Sequence, residues 1–121
     1  MKFIELRPML STNNFLETIE FYTKQLGFRC DVKDENTGWA AVSRDWIQIM
    51  ISVPNAHTNF TKANFTGSIY ITVDENIDDL WNELKDKSEL CYAIETFDYG
   101  MREFALYDNN GYLLQFGQQV S

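Results

Sequence analysis

The chain is poor in the residues that most often do chemistry. Histidine occurs once, at His57, and cysteine twice, at Cys30 and Cys91. One histidine leaves little room for an imidazole-based metal site or a Ser/His/Asp set. Two isolated cysteines make no disulfide framework and no Cys-x-x-Cys pair. Each falls in a predicted strand, where a buried, unreactive thiol is expected. The sequence has no Gly-x-Ser-x-Gly elbow and no Gly-rich phosphate loop. Positive charge is also scarce: 10 Lys and Arg stand against 18 Asp and Glu, for a formal net charge of −8. Such a field repels nucleic acid and attracts cationic ligands. No apolar run is long enough to span a membrane, and no signal-peptide pattern opens the sequence. A cytoplasmic protein is therefore expected. The glycosylation sequons at Asn59 and Asn64 carry no meaning in that compartment.

Apolar and aromatic residues are abundant. Hydrophobic residues make up 45% of the 121 and aromatics 15%, enough for a core with rings to spare. The order of elements repeats at about half the chain length. In the first half, an extended run from Phe3 to Leu10 precedes N-cap candidates at Ser11 to Asn14. Phe15, Ile19, Tyr22 and Leu26 then share a helical face that Gly27 terminates. Strands are predicted at Phe28–Lys33, Trp39–Ser43 and Trp46–Ser52, with turns at Asn36-Thr37-Gly38 and Arg44-Asp45.

The second half follows the same plan. A strand at Ser68–Val73 leads to a helix capped within Asp74-Glu75-Asn76 and faced by Ile77, Leu80, Trp81 and Leu84. Strands at Cys91–Thr96, Arg102–Tyr107 and Tyr112–Gln118 follow, the last two joined by the turn Asp108-Asn109-Asn110-Gly111. The reading is one α+β domain over 1–121: a βαβββ module at 1–53, a polar linker at 54–66 holding His57, and a second module at 67–121.

Alternation separates two faces of each sheet. Ile47, Ile49 and Ile51 go to one side, and Trp46, Gln48, Met50 and Ser52 to the other. Ile69, Ile71 and Val73 alternate with Ser68, Tyr70 and Thr72. Leu114 and Phe116 alternate with Leu113, Gln115 and Gly117. One face of each sheet is thus apolar, and the other mixes polar groups with large rings. A plain solvated surface seldom carries rings such as Trp39, Trp46 and Tyr70 together.

Pro8-Met9-Leu10, Phe21-Tyr22 and Leu26-Gly27-Phe28 resemble the opening of vicinal oxygen chelate proteins. That superfamily includes glyoxalase I, extradiol dioxygenases and fosfomycin and bleomycin resistance proteins. Arg102-Glu103-Phe104 followed by Asp108-Asn109-Asn110-Gly111 resembles the family's closing segment. With Gly38–Val42 and Trp46–Ser52, the likeness covers nearly the whole chain and is nearest to the bleomycin resistance branch. It implies paired βαβββ modules forming a curved-sheet cup, and a homodimer with swapped N-terminal strands hinged at Pro8. Catalytic members hold a divalent metal at four central strand positions. By resemblance these correspond to Arg7, Gln48, Ser68 and Gln115, none of them His, Asp or Glu. No metal and no cofactor is expected, and the metal-dependent activities are disfavoured.

What the resemblance implies instead is stoichiometric capture of a planar or cationic aromatic ligand, bleomycin-like, in a cleft at the dimer interface. Trp39, Ser52 and Tyr70 match cleft-lining positions of the branch. Gln48, Phe97, Tyr99 and Arg102 join them on physical grounds, Phe97 and Tyr99 flanking a loop before Gly100 that can fold over the opening. Several ring contacts support roughly micromolar affinity, about −8 kcal/mol. Arg7 and Arg102 fit an anionic ligand as well. The alternatives are an enzyme of the same fold with a non-standard metal or acid/base site, and a cleft serving only dimerisation or a partner protein.

Overall fold

A computed structural model describes residues 1–58 and 60–121; Asn59, one of the two sequon residues, lies outside the described residues. The chain divides into two compact units, Met1–Ala63 and Asn64–Ser121. Each carries a four-stranded mixed sheet and a helix.

In the first unit, β1 (Met9–Ser11) is followed by α1 (Phe15–Glu20), β2 (Arg29–Asp34), β3 (Trp39–Arg44) and β4 (Ile47–Ser52). The sheet order is β1-β4-β3-β2, with β1 parallel to β4 and the rest antiparallel. The helix passes directly into a π-helical stretch, Phe21–Gln25, where Leu26 N–H reaches back to the Phe21 carbonyl at 3.2 Å. Three of the four predicted stripe residues, Ile19, Tyr22 and Leu26, are buried with Phe28, Ala40, Val42, Ile49 and Ile51, and Phe15 is half-buried. Gly27 ends the helix at φ 75°, a conformation that suits glycine. At the helix start the Asn14 side chain makes no capping bond. Thr12, buried just upstream, accepts the Asn14 N–H at 2.9 Å and meets Thr18 at 3.1 Å.

The predicted strand at Phe3–Leu10 is corrected to Met9–Ser11. The Pro8 carbonyl accepts from Met50 N–H at 2.9 Å, and no ladder among the described residues extends before it. A strand requires a hydrogen-bonding neighbour. Residues 1–7 are exposed, Phe3 at 94% and Ile4 and Leu6 at 90%. Trp46 also leaves its predicted strand. It sits fully exposed in the β3–β4 turn, next to Asp45 at φ 51°.

In the second unit, β5 (Ile69–Thr72), α2 (Ile77–Leu84), β6 (Leu90–Thr96), β7 (Met101–Tyr107) and β8 (Leu113–Gln119) make a sheet of order β5-β8-β7-β6. Here β5 is parallel to β8 and the other pairs are antiparallel. Phe104 centres the core, stacked on Phe116 at 5.1 Å and edge-on to Trp81 of α2 at 5.2 Å. The Asp108–Gly111 turn closes as predicted: Asp108 N–H donates to the Tyr112 carbonyl, and the Asp108 carboxylate accepts from Asn110 and Tyr112 N–H. The N-terminus of α2 differs from expectation. Asn76 has φ 61° and makes no capping bond, and the Ile77 N–H instead donates to Gln118 Oε1 of β8 at 2.9 Å. Both cysteines are exposed, contrary to the expected burial, because β2 and β6 are edge strands whose register slips just after Cys30 and at Cys91. No described helix is long and apolar enough to cross a membrane.

Candidate functional site

The mixed face of the first sheet is organised by Asp31. The β2–β3 register slips between Cys30 and Val32, and the extra residue is Asp31. Its Oδ2 accepts from Ser43 Oγ at 2.5 Å and from Gln48 Nε2 at 3.0 Å, and its Oδ1 accepts from Arg29 Nε at 2.9 Å. The Ser43 and Gln48 hydrogen bonds, then Arg29, hold the carboxyl below the usual aspartate range. Gln48 Oε1 accepts from an Arg7 guanidinium N–H at 2.6 Å, and Arg7 Nε pairs with Glu5 at 3.0 Å. Trp39 and Ser52 stand opposite each other across β3 and β4, both half-buried. Ser52 Oγ donates to the Val53 carbonyl at 2.9 Å.

The mixed face of the second sheet is organised by Glu103. In β7 and β8, Glu103 lies opposite Gly117 and Ala105 opposite Gln115; Tyr70 of β5 also lies opposite Gln115. Glu103 is 1% exposed. Tyr92 donates its hydroxyl to Glu103 Oε2 at 2.8 Å, and Tyr99 donates to Oε1. Gln115 Nε2 donates to the Tyr92 oxygen at 2.9 Å, and Ser68 donates to Gln115 Oε1. Ser68, Gln115, Tyr92, Glu103 and Tyr99 thus form one continuous chain of hydrogen bonds. Burial first, with the Glu103 contacts adding, pushes the Tyr92 phenol up to about 12. The hydrogen bond to Glu103 raises Tyr99, and burial followed by the Glu103 charge raises Tyr70. All three phenols therefore remain protonated at neutral pH. Gly117 leaves room for the Tyr70 ring: a Cβ there would come within 2.7 Å of Tyr70 Cζ and overlap its hydroxyl.

Aromatic packing completes this face. Phe97 stacks on Tyr99 at 5.5 Å with the rings 8° from parallel, and sits edge-on to Tyr92 at 5.8 Å. The turn between β6 and β7 holds both rings, closed by Phe97 N–H to the Met101 carbonyl and Gly100 N–H to the Phe97 carbonyl.

The structure therefore brings Tyr70, Phe97 and Tyr99 together around Glu103, and Trp39, Gln48 and Ser52 onto the first sheet's mixed face. It does not bring Arg102 to either. Arg102 lies opposite Gln118, and its guanidinium forks onto Asp78 of α2 at 2.8 to 3.2 Å and bonds Thr96 at 3.0 Å. Adjacent strand residues point to opposite faces, so the face that holds Glu103 excludes its neighbour. Asp31, Ser43 and Tyr92 had not been singled out from the sequence. Irregular pairing sets both Asp31 and Tyr92, so simple alternation carries no signal for either. An open depression of about 770 Å³ near the end of β8, lined by residues including Thr72, Asp74, Gln118 and Ser121, contains none of the predicted site residues.

The four metal-position residues do not suit a divalent ion. Arg7 is a cation bound to the Gln48 oxygen, and the Gln115 oxygen is taken by Ser68. Among the described residues, no group of three or more His, Cys, Asp or Glu is placed to hold a metal. His57 is exposed in the linker, its backbone N–H bonded to Asn55 Oδ1 at 2.8 Å.

The family model of the Glyoxalase/Bleomycin resistance protein/Dioxygenase superfamily matches residues 6–116. The chain belongs to this superfamily. Solved structures of the glyoxalase/bleomycin resistance fold agree with it over nearly the whole chain. A glyoxalase/bleomycin resistance protein/dioxygenase from Nocardioides is 13% identical with a TM-score of 0.79, covering 100% of this chain and 86% of that one. The bleomycin-binding protein of Streptomyces verticillus, solved with copper(II)-bleomycin, is 23% identical with a TM-score of 0.68, covering 100% and 98%. A bleomycin resistance determinant encoded on the transposon Tn5 is 20% identical with a TM-score of 0.71, covering 97% and 98%. At these identities the likeness establishes the superfamily's fold. No curated protein matches the chain.

Proposed function

We propose that this superfamily member is a metal-free binding protein of the bleomycin resistance type, which sequesters a planar or cationic aromatic small molecule. The observation that carries the reading is the ring cluster of Tyr92, Phe97 and Tyr99 gathered over the buried Glu103 carboxylate. Rings offer stacking surface and the carboxylate offers charge, a combination suited to a flat cation. Tyr70 extends this surface within the second unit, and Trp39, Gln48 and Ser52 offer contacts on the first unit's own mixed face; Arg102, committed to α2, is left out. The donor set at Arg7, Gln48, Ser68 and Gln115 supports capture without metal chemistry. The S. verticillus and Tn5 relatives make bleomycin the first ligand to try. Calorimetric titration with metal-free and copper-bound bleomycin is expected to give saturable heat. Its absence at tens of micromolar removes the drug reading. A stoichiometric zinc, nickel, manganese or iron in protein purified without chelator would favour the enzymatic alternative.

The protein pairs with a second copy in this reading, through the exposed arm of Phe3, Ile4 and Leu6 hinged at Pro8. An apolar arm left on water is the feature that supports it. Sedimentation should give about twice 14.2 kDa for the intact chain, and Phe3→Glu with Leu6→Glu should return it to the monomer mass.

A further inference from the structure

Glu103 is buried without a cation. Among the described residues no Lys, Arg or His forms an ion pair with it, and the neighbouring Arg102 is turned to the other face and held by Asp78. An ionised carboxylate withdrawn from water is costly unless it is paired, and phenol hydroxyls compensate less well than a positive charge does. The coverage is also uneven. The inner donor, Tyr92, is half-buried and fixed from behind by Gln115. The outer donor, Tyr99, is 66% exposed and sits in a short turn around Gly100 at φ 87°. One face of its ring rests on Phe97, and most of the rest meets solvent.

We propose that Glu103 is the charge-selecting group of the ligand site. It receives a planar cation, an amidinium, guanidinium or protonated heteroaromatic amine, in place of the Tyr99 hydroxyl. This rests on the reading that the mixed face binds a small molecule, and it names the class that face selects. The incoming group donates to Oε1, Tyr92 keeps Oε2, and the displaced Tyr99 ring stays with Phe97 as a stacking surface. The exchange replaces a neutral donor by a charged one, and no covalent bond changes. The net charge of −8 raises the local concentration of such ligands before they dock.

The test uses two probes of nearly equal shape. 4′,6-Diamidino-2-phenylindole carries two amidinium groups, and 2-phenylindole carries none. Fluorescence titration of the full-length protein is expected to show tighter binding of the dication. Glu103→Gln keeps the shape of the side chain and should weaken the dication roughly tenfold or more, leaving the neutral probe unchanged. Tyr99→Phe keeps the ring and removes the competing hydroxyl, so it should tighten the dication a few-fold, an effect that a merely structural tyrosine would not give. Equal affinity of the two probes for the wild type, or a dication indifferent to both substitutions, overturns the assignment to Glu103 while small-molecule binding stands. Failure of both probes and of bleomycin to bind overturns that wider reading as well. If Glu103→Gln does not fold, the wild-type probe pair and Tyr99→Phe still decide.

Discussion

The two mixed sheet faces each centre on one carboxylate, and they stabilise it in opposite ways. Asp31 lies at an edge strand, where Arg29 supplies charge and Ser43 and Gln48 supply hydrogen bonds. Glu103 lies on an interior strand, where the bulk of the sheet excludes water and phenol hydroxyls are its donors. An exposed carboxylate with a guanidinium close by is at rest. A buried one with neutral donors alone keeps an unanswered charge, and this is why the second face is the better place to look for a ligand.

Removing each carboxylate in turn should have the most unequal consequences. Glu103→Ala leaves Tyr92 without its acceptor and opens a cavity, and should lower stability by about 2–4 kcal/mol in urea unfolding. Asp31→Ala, on the exposed face, should shift the midpoint far less. Equal losses would show that the two faces are energetically alike.

Alkali sharpens the contrast next. The fold raises Tyr92 from 10.0 to about 12, so it favours the protonated phenol. The stability this gives is complete below pH 10 and is lost as pH rises toward 12. Tyr92→Phe should flatten that loss in unfolding curves collected across this window. Acid acts on the other face. Asp31 is depressed below its ordinary 3.8, so its contribution is complete above that value and disappears as pH falls through the lowered one. Asp31→Asn should remove that acid-side slope and leave the alkaline one intact.

Smaller effects come from the helix-bearing side of the second sheet. Gln118→Leu removes the acceptor for the first N–H of α2 and should lower stability by about 0.5–2 kcal/mol, as the loss of an ordinary cap does. Arg102→Gln breaks an exposed pair with Asp78 and should move the midpoint least of all.

Much of the architecture was legible because it follows from periodicity. The helical stripe of Ile19, Tyr22 and Leu26 and the alternation of Ile49 and Ile51 with Gln48 and Met50 depend only on which residues share a face. The failures share a different cause. The segment before Pro8 reads as a strand by composition, but strand formation depends on a partner that the sequence does not name. Trp46 was drawn into β4 by its ring, although the tight turn at Asp45 sets the strand start one residue later. Asn76 looks like a cap, yet the acceptor is Gln118, 42 positions from it, a pairing that the second-sheet topology alone creates. At the site, Phe97 and Tyr99 were readable as loop aromatics beside a glycine. Glu103, the acceptor for Tyr99, was visible only as part of the Arg102-Glu103-Phe104 segment, with nothing to show its burial. Arg102 misled because a single step along a strand reverses the direction of a side chain.

Gly117 gives the second face its depth. The smallest residue type makes a notch in the sheet surface, and one of the largest, Tyr70, settles over it. That exchange of bulk lets the Tyr70 ring lie low against the sheet, within reach of the Glu103 charge. An alanine at 117 would press against the Tyr70 hydroxyl and ring and push that plate off the sheet, so a change at a residue without a functional group would displace one that has it.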